Sequence, residues 1–167
     1  MTKLRVAIVG CGGIANQKHM PSLAKFPERA EMVAFCDIHI ERAQAAAAKY
    51  GVAGAKVYTD YKEMLADKSI EIDVVHVCTP NVAHCPITVA AFEAGKHVMC
   101  EKPMALSVKE NDELFGLTKE NNVLLMEALK SVFLPITNKV KQMINDKVFS
   151  KEFFELLLEN FSEIEVL

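Results

Sequence analysis

The sequence predicts a doubly wound α/β domain, a parallel sheet of strand order 3-2-1-4-5-6 with helices on both faces. Three observations carry this. Apolar strand-like segments alternate with helical ones along most of the chain. The first strand runs into glycines and then a helix, in LRVAIVGCGGIA from Leu4 to Ala15. The second, EMVAFCDI from Glu31 to Ile38, ends in an acid, Asp37. Strands alternating with helices become parallel neighbours joined by right-handed crossovers, which place helices over both faces.

The opening strand is apolar and β-branched. Gly10, Gly12 and Ala15 then match the spacing G-x-G-x-x-G/A. Gly10 permits a tight turn. Gly12 has no side chain, so backbone can approach a pyrophosphate. Ala15 is small enough for the helix to pack on the strand. With Gly13 and Ile14 the turn enters the helix, whose free N–H groups and dipole favour an anion. No Lys or Arg lies in the loop, and none is needed. The first helix is expected over Ile14 to Phe26, interrupted near Pro21.

The second strand places Asp37 at roughly the 20-residue offset of the acid that holds an adenosine ribose. A carboxylate there accepts from the ribose hydroxyls and repels a 2′-phosphate, which favours NAD over NADP. The alternative is a strand-end Asp capping the next turn. Read as an exposed group, Asp37 should matter far more to cofactor discrimination than to folding.

The remaining elements follow in order. Ile40 to Tyr50, rich in Ala, is a helix; Ala55 to Tyr58 is a short strand; Tyr61 to Ala66 is a short helix. Asp73 to Cys78 is an apolar strand, and Val82 to Ala94 a helix closed by Gly95. His97 to Cys100 is the fifth strand. Val108 to Asn121 is a helix with Ser107 as N-cap, and Val123 to Met126 the sixth strand.

Composition fits a folded cytoplasmic domain. A chain of 167 residues is normally one domain, and 51% hydrophobic with 25% charged residues is not disordered. A net charge of −3 leaves no basic footprint for nucleic acid. No apolar run approaches a membrane span, and the N-terminus lacks a signal-peptide core. The five cysteines, Cys11, Cys36, Cys78, Cys85 and Cys100, form no C-x-x-C pair. Several fall near strand ends, where a metal or redox cluster could gather. Small buried core residues are the expected role, with no metal site.

Two motifs lie where the ligand crevice of such a sheet should open. The fourth strand ends in CTPN, Cys78 to Asn81, followed by His84; the fifth ends in CEKP, Cys100 to Pro103. Both could be turn punctuation. Yet Lys102 is a long cation at the crevice mouth, able to bind a substrate hydroxyl or pass its proton while hydride moves to or from a nicotinamide.

Together VGCGGIA, FCDI, CTPNVAH and AGKHVMCEKP, in this order and spacing, resemble the Gfo/Idh/MocA family of oxidoreductases, from Leu4 to about Ile144. The resemblance implies NAD(P)-dependent oxidation or reduction of a sugar, polyol or related hydroxyl or carbonyl compound. It implies that Lys102 is the proton-relay group beside nicotinamide and substrate, and that Glu101 lies on the nicotinamide ribose. It implies that Thr79, Pro80 and Asn81 line the cofactor, that His84 lies just behind them, and that the Lys102–Pro103 bond is cis.

Family members are longer and carry a second α/β domain that supplies the substrate pocket. Here residues 1–145 are expected to form the nucleotide-binding domain and 146–167 a helical tail, with no complete second domain. Val132 stands where the family often has an arginine. KEFFELLLENF, Lys151 to Phe161, reads as an apolar helix with Ser150 as N-cap. Phe153, Phe154, Leu156, Leu157, Leu158 and Phe161 cover more than one helix face, which predicts a homodimer or larger assembly through Lys151 to Leu167. Little turnover is expected from this chain alone. The alternative function is a non-catalytic dinucleotide-binding or sensing module.

Overall fold

The computed structural model describes residues 2–130 and 134–146. Met1–Ala128 forms one compact unit and Leu129–Leu167 another. The first unit holds six strands: β1 (Leu4–Val9), β2 (Ala30–Cys36), β3 (Gly51–Tyr58), β4 (Val74–Val77), β5 (His97–Cys100) and β6 (Leu125–Glu127). They form one parallel sheet in the order 3-2-1-4-5-6, as expected. The order reverses between β1 and β4, so the connections that leave their carboxyl ends run to opposite faces of the sheet.

Side chains alternate across the sheet, and each face has its own core. Val6, Ile8 and Phe35 point to one face, with Ala15 and Met20 of α1 (15–23) and Ala43 and Ala46 of α2 (Ile40–Tyr50). Ala7, Val9, Val75, Val77 and Val98 point to the other. There they meet Met64 of α3 (Tyr61–Ala66), Phe92 of α4 (His84–Glu93) and Leu114 of α5 (Val108–Glu120). Strands buried on both faces read as near-continuous apolar runs, which is why their type was legible.

Ends are set locally. Ser107 caps α5, its hydroxyl accepting from Glu110 N at 3.2 Å. Asp60 caps α3 through Lys62 N at 2.7 Å. Gly95 follows α4 with φ +69°, the left-handed residue that ends a helix.

α1 spans 15–23 and departs from expectation. It is π-helical over Ala15–His19 and α-helical over Met20–Leu23, so Pro21 changes the helix without interrupting it. Met20 N–H donates to Ala15 O, five residues back. Proline has no N–H for the i−4 carbonyl and its ring crowds that carbonyl, so the preceding turn widens. β3 is longer than expected, starting at Gly51 rather than Ala55. In the second unit, α6 (Pro135–Asn145) leaves Ile136, Val140 and Ile144 exposed along one stripe. The expected tail helix over Lys151 to Phe161 lies outside the described residues, as does Val132.

His76, inside β4, is buried, with Nε2 unpartnered and its ring edge-to-face with His19 at 4.4 Å. Burial, then the neighbouring His19, lowers it from 6.5 to about 3. The folded state therefore keeps His76 neutral where the unfolded chain takes up a proton. Stability is full above pH 6.5 and declines as pH falls toward 3, at no more than ~1.4 kcal/mol per pH unit from this group. Denaturant titrations at pH 7 and pH ~4.5 should show the decline, and His76→Phe should flatten it.

Candidate dinucleotide crevice

At the switch point β1 ends in a turn that only glycine can make. Gly10 has φ +90°, and a Cβ there would lie 2.6 Å from the Cys78 carbonyl oxygen. Gly10 N donates to Cys36 O and Cys78 N to Val9 O, at 2.8 and 2.7 Å, so the turn is tied to the ends of β2 and β4. At Gly12 a Cβ would meet nothing within 4 Å, because that position faces open space. That space is a crevice of about 550 Å³, walled by Gly10, Gly12, Gly13, Asp37, Thr79 and Pro80 among others. A glycine-floored cradle of this size fits a dinucleotide pyrophosphate at the start of α1.

Asp37 follows β2 directly and is only 7% exposed. Its Oδ2 accepts from Cys11 N at 2.8 Å and its Oδ1 from His39 N at 2.9 Å. The structure shows the capping reading directly and sets the same residue in the crevice wall. It caps its own turn and it faces the crevice. Its burial overturns the expectation of an exposed group with little weight in folding. Arg42, in the first turn of α2, lines the same crevice and was not foreseen. Its signal was present: it is the third residue of a helix that follows closely on the acid.

Other expected site residues divide in place. Ile14 is exposed and does not line the crevice; Asn81 is exposed, in a 3₁₀ turn, Asn81–Ala83, that leads into α4. His84, at the start of α4, is 1% exposed and lies behind the turn. Thr79 faces the crevice with its hydroxyl unpartnered. The Lys102–Pro103 bond is cis, as the resemblance implied. Lys102 is exposed, and its ammonium has no partner among the described residues. Glu101 is buried, with Oε1 2.6 Å from His19 Nε2 and Oε2 accepting from Lys102 N at 3.1 Å. His19 is a second residue that sequence reasoning missed. It closes the π turn of α1, and no sequence pattern pairs it with Glu101.

The cysteines do not form one cluster. Cys11 and Cys78 pack on one face of the sheet, Cys36 and Cys100 on the other, and all five are free. Burial pushes the Cys11, Cys36 and Cys100 thiols up to about 12 and raises Cys78 likewise. One trio, His19, His76 and Cys78, brings its ligand atoms within 4.8 Å of one another. There His19 Nε2 is taken by Glu101, and the two imidazoles meet edge to face.

A strand-end acid bonded to a glycine turn, at the reversal of a doubly wound sheet, is the geometry of a Rossmann dinucleotide-binding domain. That geometry agrees with a family model, described as oxidoreductase family, NAD-binding Rossmann fold, that matches residues 4–129. The chain belongs to this family, Gfo/Idh/MocA. Among its relatives, D-glucoside 3-dehydrogenase of Escherichia coli (strain K12) is 35% identical, covering 89% of this chain and 41% of that protein. KijD10, a 3-ketoreductase from Actinomadura kijaniata solved with TDP-benzene and NADP, superposes with a TM-score of 0.79 at 28% identity, covering 89% of this chain and 45% of that one. The WlbA dehydrogenase from Bordetella pertussis, solved with NADH and UDP-GlcNAcA, gives 0.78 at 30% identity, covering 86% and 40%. The chain spans about half the length of the curated relatives it matches. No helix among the described residues is long and apolar enough to cross a membrane.

Proposed function

We propose that this chain is the cofactor-binding part of a dehydrogenase that interconverts a hydroxyl and a carbonyl on a sugar or polyol, with NAD preferred over NADP. Residues 1–145 form the nucleotide-binding domain, and the protein works in the cytoplasm as a homo-oligomer. The observation that carries the reading is Asp37, buried in the crevice wall and hydrogen-bonded to the glycine turn. Each of its oxygens accepts one backbone N–H and keeps a lone pair for a ribose hydroxyl. Its charge disfavours a 2′-phosphate. Arg42 in the same crevice offers the opposite sign, so the preference is a contest between the two.

A bound nicotinamide supplies or accepts the hydride. The chain's own residues do the rest. Gly10 and Gly12 clear the floor for the pyrophosphate, and the turn before α1 presents backbone N–H groups to it. Glu101, braced by His19, holds the nicotinamide ribose. Lys102, exposed and with no partner for its ammonium among the described residues, binds the substrate oxygen and carries its proton out or in. The stripe Ile136, Val140 and Ile144 supports assembly, and light scattering that returned a monomer would remove that part of the reading.

Calorimetric titration with NADH and NADPH tests the whole. NADH should bind, and NADPH more weakly. Equal or tighter NADPH binding would mean that Arg42 and not Asp37 sets the choice.

A further inference from the structure

His84 stands at the start of α4, 1% exposed, with both ring nitrogens engaged. Nε2 lies 2.8 Å from Thr79 O, in the turn after β4, and Nδ1 lies 2.7 Å from Pro103 O, in the turn after β5. Both partners are backbone carbonyls, so the ring bridges the two turns and donates to a carbonyl from the nitrogen that carries its proton. The two turns it joins are those that carry Thr79 and Lys102, on the β4–β5 side of the switch point. We propose that His84 is a positioning residue, a staple that sets the spacing between the Thr79–Asn81 turn and the Lys102–Pro103 turn and so shapes the nicotinamide end of the crevice. This rests on the reading of the crevice as a dinucleotide site.

The staple replaces direct contact as the role of His84. With both nitrogens used and almost no exposed surface, the ring has nothing left to offer a cofactor. The rigid ring holds the two nitrogens at a fixed separation between the two carbonyls, which a flexible glutamine side chain does not reproduce. Asp37 and the glycine turn, which serve the adenosine and pyrophosphate end, take no bond from His84. Loss of the staple should therefore act on half of the ligand.

The test compares NADH with ADP-ribose, which lacks the nicotinamide. Wild type, His84→Gln and His84→Leu are titrated with each by calorimetry, with melting temperatures recorded. The expected result is an NADH affinity lower by about tenfold or more in both variants, with ADP-ribose affinity within about twofold. Equal losses for both ligands, or no loss for either, overturn the staple. A wild-type chain that binds neither ligand sinks the dinucleotide reading instead. Wild-type imidazole spectra judge the staple separately, even if the variants do not fold. A His84 ring N–H held in a hydrogen bond and slow to exchange with water is expected, and one that exchanges as fast as a surface histidine's overturns it.

Discussion

Asp37→Ala should weaken NADH binding by about 10- to 150-fold and abolish the preference for NADH over NADPH. Hydrogen bonds from ribose hydroxyls to a charged acceptor are worth about 1.5–3 kcal/mol, which converts to that range. The same substitution should lower stability. The Cys11 amide, buried and held at 2.8 Å, loses its acceptor, and an orphaned buried N–H costs about 1–3 kcal/mol. The His39 amide loses its partner too. Asp37→Asn keeps one carbonyl oxygen and should fall between the two. Paired measurements of NADH and NADPH affinity and of denaturant midpoints separate the effects. An unchanged cofactor ratio would remove Asp37 from the ribose, and unchanged stability would remove it from the turn.

Gly10→Ala should be the most damaging substitution in the crevice, and Gly12→Ala its informative opposite. At Gly10 a methyl group would sit 2.6 Å from the Cys78 oxygen and 2.8 Å from Thr79 N, against backbone that cannot step aside. The φ of +90° adds strain for any side chain. Overpacking and left-handed strain together imply a loss of about 2–5 kcal/mol, a large share of the stability of a domain this size. At Gly12 nothing lies within 4 Å, so Gly12→Ala should leave the melting temperature unchanged. It should still cut NADH affinity, because the new methyl would project into the crevice proposed to hold the pyrophosphate. Thermal melts and NADH titrations on the pair check both. A well-folded Gly10→Ala would mean that the ends of β1 and β4 can move apart.

The glycine turn was legible in sequence because its reasons are local. Gly10 needs a positive φ and Ala15 needs to be small, and both requirements are written at single positions. The second reason for Gly10 was not legible. The atoms a Cβ would strike belong to Cys78 and Thr79, more than 60 residues away. Asp37 shows the same division. Its position at a strand end marked it as a ligand for ribose, whereas its bond to Cys11 N made it part of the fold. His84 went further. Sequence and resemblance put it behind the cofactor turn, and only the folded chain brought Pro103 O to its other nitrogen.

The sequence by itself determined the strand and helix order, the parallel sheet, the glycine and acid of the crevice and the two turns at the ends of β4 and β5. Those features follow from periodicity, turn chemistry and spacing within short windows, which the chain carries wherever it folds. Tertiary structure alone decided which polar groups find one another. The pairing of His19 with Glu101, the edge contact of His19 on His76, the entry of Arg42 into the crevice and the two carbonyls on His84 all join residues on different elements. A buried donor or acceptor must be satisfied by whatever the packing brings within about 3 Å, and that partner is set by the crossing of elements rather than by any local pattern.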